Sequence, residues 1–439
     1  MNRITDATLI KYKFSNGMPM LPFYNFLIRS HLNPTESKSV DIIKRPCLKS
    51  LLTNVKMMKV KKADFVFFTS TLFNFKDEKG SFYNSLDGYY YDIYPNNSLI
   101  IENSDLFFEW RSTKKYKNIS YINTYLEIIS GLFSKIKKIL FPCSNKDINE
   151  FYVKTGGIVS HHRLEIDDIR IKIYSSFIKK LLKKIGCKVV FVNCASYGGL
   201  PLIITKVANE MGLRTVELQH GALDGEHRAY IGEEYFVKNN DYQKCLPQEI
   251  WLFGDYWNQF VTWNVKKKTI GNPQINFKKK MVQQAAITHD FLVIGQPEYQ
   301  QDILRFTEGL SREMPSKKIL LRLHTRDDRQ VYEKFVLKFS NIEISSSLTS
   351  LYDDIVRAEF IVGVCSTCLY EALIFNRTPI IIDCDNSRKR FNRKIGYWVS
   401  DASKINSKDL RNLNNMSCEE IWASNFEENV KRELDKYLH

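Results

Sequence analysis

Lys188–Gln219, KVVFVNCASYGGLPLIITKVANEMGLRTVELQ, decides the fold. Its opening, KVVFVN, is an unbroken β-type run, the pattern of a strand buried on both faces. The polar loop Cys194–Gly199 follows, then an apolar-periodic helix from about Leu200 to Met211 that Gly212 stops, then a second strand over Thr215–Gln219. A strand, a helix and a strand within roughly thirty residues form a βαβ unit, so the two strands run parallel.

Upstream, Ile166–Ile185 (IDDIRIKIYSSFIKKLLKKI) opens with acids and closes with lysines, and Gly186 ends it as a helix. Further back, the pattern predicts strands over Ala63–Ser70 and near Ser98–Glu102, separated by the Tyr-rich segment Tyr89–Tyr94. A helix is predicted over Ile122–Leu140. Downstream, Ile250–Gly254 reads as a short strand with Asp255 placed to cap a helix, and Ile270–Pro273 as a turn before a domain boundary.

Beyond it the alternation is regular. Strands are predicted over Phe291–Gly295, Lys318–Leu323, Ile342–Ser345, Phe360–Val364 and Pro379–Asp383. Between them fall helices near Gln300–Glu313, Arg329–Phe339, Leu348–Ala358 and Thr367–Phe375. Such alternation puts helices on both faces of a parallel sheet. The expected class is α/β, with two Rossmann-like parallel-sheet domains facing a cleft. The divisions are an N-terminal extension of unclear structure (1–60), a first domain (61–275), a second domain (276–403) and a helical tail (404–439), which can cross back over the first domain.

The 439 residues suit two domains, and 44% hydrophobic with 13% aromatic residues argues against disorder. The formal net charge is +15, with lysine runs at 56–62, 114–117, 135–138, 179–184, 266–268 and 278–280. Such runs are either solvated faces or a surface for an anionic partner, a phospholipid membrane or a charged substrate. Zinc-finger spacing and the RRM and KH signatures are missing, so no nucleic-acid partner is expected. The chain shows neither a signal peptide nor a run of about 20 apolar residues, which predicts a cytosolic protein. Nine scattered cysteines fit reduced thiols in that compartment. No P-loop and no G-x-G-x-x-G follows any strand.

Three stretches carry chemistry. The first is Thr215–Tyr230, TVELQHGALDGEHRAY, where a strand end passes into a loop holding two of the chain's eight histidines and three carboxylates. His220 has the ordinary pKa of a base; Asp224, Glu217 and Glu226 are alternatives to it or its orienting partner. A strand-end histidine bonding a loop carbonyl is the plain alternative, and Gly221 suits a positive-φ turn under either reading. The second is Leu320–Asp328, LLRLHTRDD, which brings Arg322 and His324 to a strand end with Arg326 just beyond, donors suited to phosphate. The third is Gly363–Glu371, GVCSTCLYE, where Ser366 and Thr367 stand at a helix start that favours an anion or is simply capped. Glu371 lies one turn beyond Thr367 and can bind a ribose hydroxyl. Cys365 and Cys368 also form a C-x-x-C, the arrangement of a thiol redox motif, in a chain far larger than a thioredoxin-like module. No histidine pair at metal-ligand spacing occurs, and no metal is expected.

The strand ending in His (RLH, 322–324), the Ser-Thr helix start leading to Glu (STCLYE, 366–371, then ALIFNRTPIII) and Glu217-x-Gln-His-Gly resemble GT-B glycosyltransferases of bacterial surface polysaccharide synthesis (capsule or O-antigen). The motif style is similar to that of bacterial sialyltransferase-like groups, with His324-Thr325 standing where those carry His-Pro. The resemblance implies transfer of a sugar from a nucleotide-sugar donor, without a cofactor or metal, to a hydroxyl of a glycan or lipid-linked glycan beside an anionic inner-membrane surface. It places donor binding on Arg322, His324, Arg326, Ser366, Thr367 and Glu371. Catalysis falls to His220, Asp224, Glu217 or Glu226, and acceptor binding to Gln219, Gly221, His227, Tyr230 and Tyr197. A polyol-phosphate transferase of the teichoic-acid type, using a CDP-alcohol, and a non-catalytic polyanion-binding protein are the alternatives.

Overall fold

The computed structural model describes residues 7–24, 27–28, 60–70, 74–76, 82–103, 119–121, 132, 136, 145–225, 227, 230–232, 234–275, 285–405, 410 and 416–438. Most of the helix expected over Ile122–Leu140, the segment joining the two domains and Glu226 lie outside these residues.

The Lys188–Gln219 unit folds as expected and organises a parallel sheet. Its strands are β1 (Phe65–Ser70), β4 (Ser98–Asn103), β5 (Ile119–Tyr121), β6 (Val189–Val192), β7 (Arg214–Leu218), β8 (Glu249–Leu252) and β9 (Lys266–Thr269). They lie in the order β5-β4-β1-β6-β7-β8-β9. All four side chains of β6 are fully buried, as a doubly covered strand requires, and Phe191 stacks on Phe67 of β1 with ring centroids 4.4 Å apart. The antiparallel pair β2 (Asn74–Lys76) and β3 (Phe82–Asn84) stands apart.

The second sheet is also fully parallel. β10 (His289–Ile294), β11 (Ile319–Arg322), β12 (Ile342–Ile344), β13 (Ala358–Gly363), β14 (Thr378–Ile382) and β15 (Tyr397–Val399) lie in the order β12-β11-β10-β13-β14-β15. Both sheets reverse their strand order once, between β1 and β6 and between β10 and β13. In open α/β sheets the crevice at the carboxyl ends of such a reversal receives the ligand.

Five of the described strands were not foreseen: the short pair β2 and β3, and the edge strands β5, β9 and β15. β9 is the lysine run 266–268, an edge strand hydrogen-bonded along one side, and its Lys268 reaches Glu249 of β8 at 2.8 Å and also Glu433. β15 is three residues long and likewise an edge. Asp255 does not act as the expected cap: it is the first residue of a 3-10 helix, and its carboxylate accepts the Thr269 hydroxyl.

The helix His161–Ile185 starts earlier than expected, because the Ser160 side chain caps it on Arg163 N at 3.3 Å; Gly186 closes it at φ 72°. Its acids turn inward instead of facing solvent. Asp167 accepts the Tyr24 hydroxyl at 2.8 Å and Asp168 the Ser15 hydroxyl at 2.7 Å, so residues 7–24 are strapped onto the first domain. The C-terminal helix Phe426–Leu434 does cross back to the first sheet. Phe426 and Val430 join Tyr90 and Trp251 in one apolar cluster, and Asn429 donates to the Ile270 carbonyl at 3.1 Å. Just before it, the Trp422 indole donates to the Tyr370 carbonyl of the second domain at 2.9 Å, while Ala423 N donates to Phe253 O of the first at 2.8 Å. The tail therefore ties the two domains together.

Candidate functional site

At the carboxyl end of β7 the chain assembles a buried acid, phenol and imidazole. Glu217 lies inside the strand between Val216 and Leu218 and is fully buried. Its Oε1 accepts the Tyr230 hydroxyl at 2.7 Å and its Oε2 accepts Ala195 N at 3.2 Å. Burial pushes its carboxyl pKa up to about 7, against those two bonds, which favour the anion. The same Tyr230 hydroxyl lies 3.1 Å from His220 Nδ1. His220 is half-buried, and burial, with the neighbouring His227, pushes its pKa down to about 4. The imidazole is thus neutral at physiological pH.

Around it, the Cys194 sulfur sits 3.7 Å from both ring nitrogens, held by a left-handed backbone at φ 59°. Tyr197 OH lies 3.5 Å from His227 Nε2, and His227 Nδ1 is buried with no hydrogen-bond partner. Burial lowers the His227 pKa, with Asp224 opposing the shift.

Two residues expected on the acceptor wall belong to the interior. Tyr230 is fully buried beneath the cluster, and Gln219 is a brace: its amide donates to Gly221 O at 2.8 Å and accepts from Phe253 N at 2.8 Å. Gly221 is not at positive φ, so the turn expected there does not form that way. His227 and Tyr197 are partly exposed.

The second sheet contributes its own reversal point. Gln296, just after β10, accepts Cys365 N, just after β13, at 2.8 Å, which pins the two strand ends together. Beside this link, Ser366 is partly exposed and Thr367 exposed. Ser366 Oγ accepts Cys368 N at 3.3 Å, whereas Thr367 makes no side-chain cap. The helix they start, Cys368–Ala372, has only five residues, so hydroxyl donors matter more here than a macrodipole. Glu371 is half-buried against Tyr352, and burial raises its pKa to about 7.

After β11, exposed His324 accepts Arg326 N on Nδ1 at 3.1 Å, which leaves the neutral ring with its proton on Nε2, a donor toward an anion. Arg326 pairs with Glu298 at 2.8 Å. Arg322, expected to bind phosphate, turns away to β12 and the following helix: its guanidinium meets Asp354 at 2.5 Å and the Thr349 carbonyl at 3.1 Å.

The two halves face each other. Asp224 Oδ2, in the loop after β7, lies 3.7 Å from Arg390 Nε, in the segment after β14. Tyr256 OH of the first domain lies 3.1 Å from Tyr370 OH of the second. Arg390, Gln296 and Cys194 were not foreseen. Arg390 is one basic residue in a basic run, and the other two matter through what they touch.

The C-x-x-C is not a redox site. Cys365 and Cys368 are both buried free thiols, and burial pushes Cys368 up to about 12 and raises Cys365, the reverse of an activated thiolate. Among the described residues no three His, Cys, Asp or Glu side chains gather as a metal-holding set, and no helix is long and apolar enough to cross a membrane.

The chain matches no protein-family model and no curated protein. Among solved structures it is similar to UDP-GlcNAc 2-epimerase from Methanocaldococcus jannaschii at 11% identity, covering 85% of this chain and 99% of that one with a TM-score of 0.48. It is also similar to UDP-GlcNAc 2-epimerase from Neisseria meningitidis (10% identity, 85% and 99% covered, TM-score 0.46) and to the wall teichoic acid polymerase TagF (11% identity, 95% and 93% covered, TM-score 0.41).

Proposed function

We propose that this protein is a glycosyltransferase that moves a sugar from a nucleotide-sugar donor to a glycan hydroxyl in bacterial surface polysaccharide synthesis, of the capsule or O-antigen kind. The observation that carries the reading is the Tyr230 hydroxyl bridging buried Glu217 and His220 on one wall of a cleft. The opposite wall is the Ser366-Thr367 strand end.

The bridge explains how an imidazole with a pKa near 4 serves as a base: it relays the proton instead of keeping it. With Glu217 ionised, Tyr230 donates to Glu217 and His220 Nδ1–H donates to Tyr230. As the acceptor hydroxyl attacks the sugar carbon, His220 Nε2 takes its proton, Nδ1 passes one to Tyr230, and Tyr230 passes its own to Glu217. The acid with the pKa nearest neutrality ends up holding the proton, and no charged imidazole is left in a dry site. Gln conversion at Glu217 would hold the relay in its spent state. The departing nucleotide phosphate carries the charge from the broken sugar–phosphate bond, and His324, Ser366 and Thr367 are the donors that would meet it.

The test is transfer of labelled sugar by wild type, His220→Ala and the double variant Ser366→Ala/Thr367→Ala, each shown folded by circular dichroism. Loss of transfer in both variants is expected, and full transfer in either refutes the site. A phosphodiester linkage in the product would move the assignment to a polyol-phosphate transferase.

A further inference from the structure

The cleft holds a cation outside the sequence motifs. Ser387–Lys394, SRKRFNRK, carries basic side chains at 388, 389, 390, 393 and 394. Two of its arginines are tied within their own domain. Arg388 Nε meets Asp383 at 2.7 Å, and Arg393 reaches the same carboxylate at 3.2 Å while lying 4.2 Å over the Trp398 ring. Arg390 behaves differently. Its Nε lies 3.7 Å from Asp224 of the other domain, an ion-pair distance too long for a hydrogen bond, and 52% of its side chain is exposed.

The base of this side chain is firmly placed. The Arg390 carbonyl accepts the Tyr370 hydroxyl at 3.0 Å, and Tyr370 belongs to the helix that follows Ser366 and Thr367. The guanidinium acts electrostatically on Cys365 and Tyr299, just beyond β13 and β10, and on His227 across the cleft. One anchored but loosely paired cation therefore stands near the reversal point of the second sheet and near His227 of the first.

A half-exposed pair at this distance is weak, whereas a guanidinium on a phosphate makes short, charge-assisted, often bidentate bonds. A phosphate arriving at the Ser366-Thr367 turn therefore outcompetes Asp224. We infer that Arg390 is the residue that grips the donor's diphosphate, and that Asp224 holds it across the cleft until the phosphate takes its place. The inference rests on reading the cleft as a nucleotide-donor site.

The experiment is calorimetric titration of UDP, CDP, GDP, dTDP, the matching nucleosides and inorganic pyrophosphate into wild type, Arg390→Ala, Arg390→Lys, Asp224→Asn and the double variant Arg390→Ala/Asp224→Asn. Arg390→Ala weakens diphosphate binding about tenfold and leaves the nucleoside unchanged, with Arg390→Lys between. Asp224→Asn tightens diphosphate binding about threefold, the worth of an exposed ion pair, and has no effect once Arg390 is gone. Arg390 is about half exposed and Asp224 partly so, and equal urea midpoints confirm that the variants fold. Undiminished diphosphate affinity in Arg390→Ala overturns the inference and leaves the donor-site reading standing. Tightening by Asp224→Asn with or without Arg390 overturns the latch, since Asp224 would then repel the phosphate directly. A wild type that binds neither nucleotide nor pyrophosphate overturns the donor-site reading and this inference together.

Discussion

Replacing Glu217 with Gln should make the protein's stability less dependent on pH. In the folded chain the Glu217 carboxyl is raised from an ordinary 4.5 to about 7, so the native state binds this proton more tightly than the unfolded chain does. Its stabilising contribution is fully present below pH 4.5 and is lost as pH rises through about 7. At about 1.4 kcal/mol per pH unit, the whole loss is about 3.5 kcal/mol. Gln mimics the protonated acid: Oε1 can accept Ala195 N while Nε2 donates to Tyr230, which turns its own proton toward His220 Nδ1. Both buried bonds survive and the charge is gone at every pH. Glu371, raised to about 7, and Asp87, raised to about 6, titrate equally in both proteins and cancel in the difference. Urea denaturation followed by tryptophan fluorescence measures that difference, since Trp251 lies in the same sheet. From about pH 5 to about pH 8 the variant should gain about 2.5 kcal/mol on wild type. A difference that stays flat would mean that Glu217 is ionised throughout, and the relay would lose its proton sink.

Tyr230→Phe removes the bridging hydroxyl and should lower transfer by about a hundredfold or more in a protein that still folds; an unaffected rate would show His220 working without the relay. The acidic limb of kcat/KM in wild type should fall near pH 7, where Glu217 titrates, and a limb near pH 4 would make His220 itself the proton holder. Cys365 and Cys368 should resist alkylation in the native protein and react only on unfolding, as peptide mapping by mass spectrometry would show; a disulfide between them in oxidised glutathione contradicts this. Gly198→Ala should destabilise by about 2–4 kcal/mol, because Gly198 has φ 94° and a Cβ there would strike the Phe23 and Pro22 carbonyls of the N-terminal strap. Its urea midpoint checks this.

The doubly wound architecture was legible because buried parallel strands are continuous apolar runs. KVVFVN, LLRL and FIVGV announce themselves whatever surrounds them. The edge strands β9 and β15 escaped because an edge has one partner and needs no apolar pattern, and in β9 the Lys268 side chain is neutralised by Glu249 and Glu433. The ranking of the carboxylates was hidden for a related reason. Glu217, Asp224 and Glu226 look alike as letters, and only burial separates Glu217. The sole hint was its place between Val216 and Leu218 in a strand covered on both faces. Arg322 shows the opposite error. A strand-end arginine reads as a phosphate donor, yet a buried aspartate 32 positions downstream, Asp354, claims it. Arg390 could not be told from Arg388 or Arg393 until the cleft showed which of the three faces the other domain.

A nucleotide-donor site in the cleft is tested most directly by a thermal-shift panel of CMP, CDP, UDP, GDP and dTDP on wild type and on Ser366→Ala/Thr367→Ala. A ligand that binds only the folded state stabilises it by mass action, by about 2.7 kcal/mol at one hundred times its dissociation constant. At least one of these nucleotides should raise the wild-type Tm, and the double variant should lose most of that rise. A wild-type Tm that none of the five moves would contradict a nucleotide-donor site in this cleft.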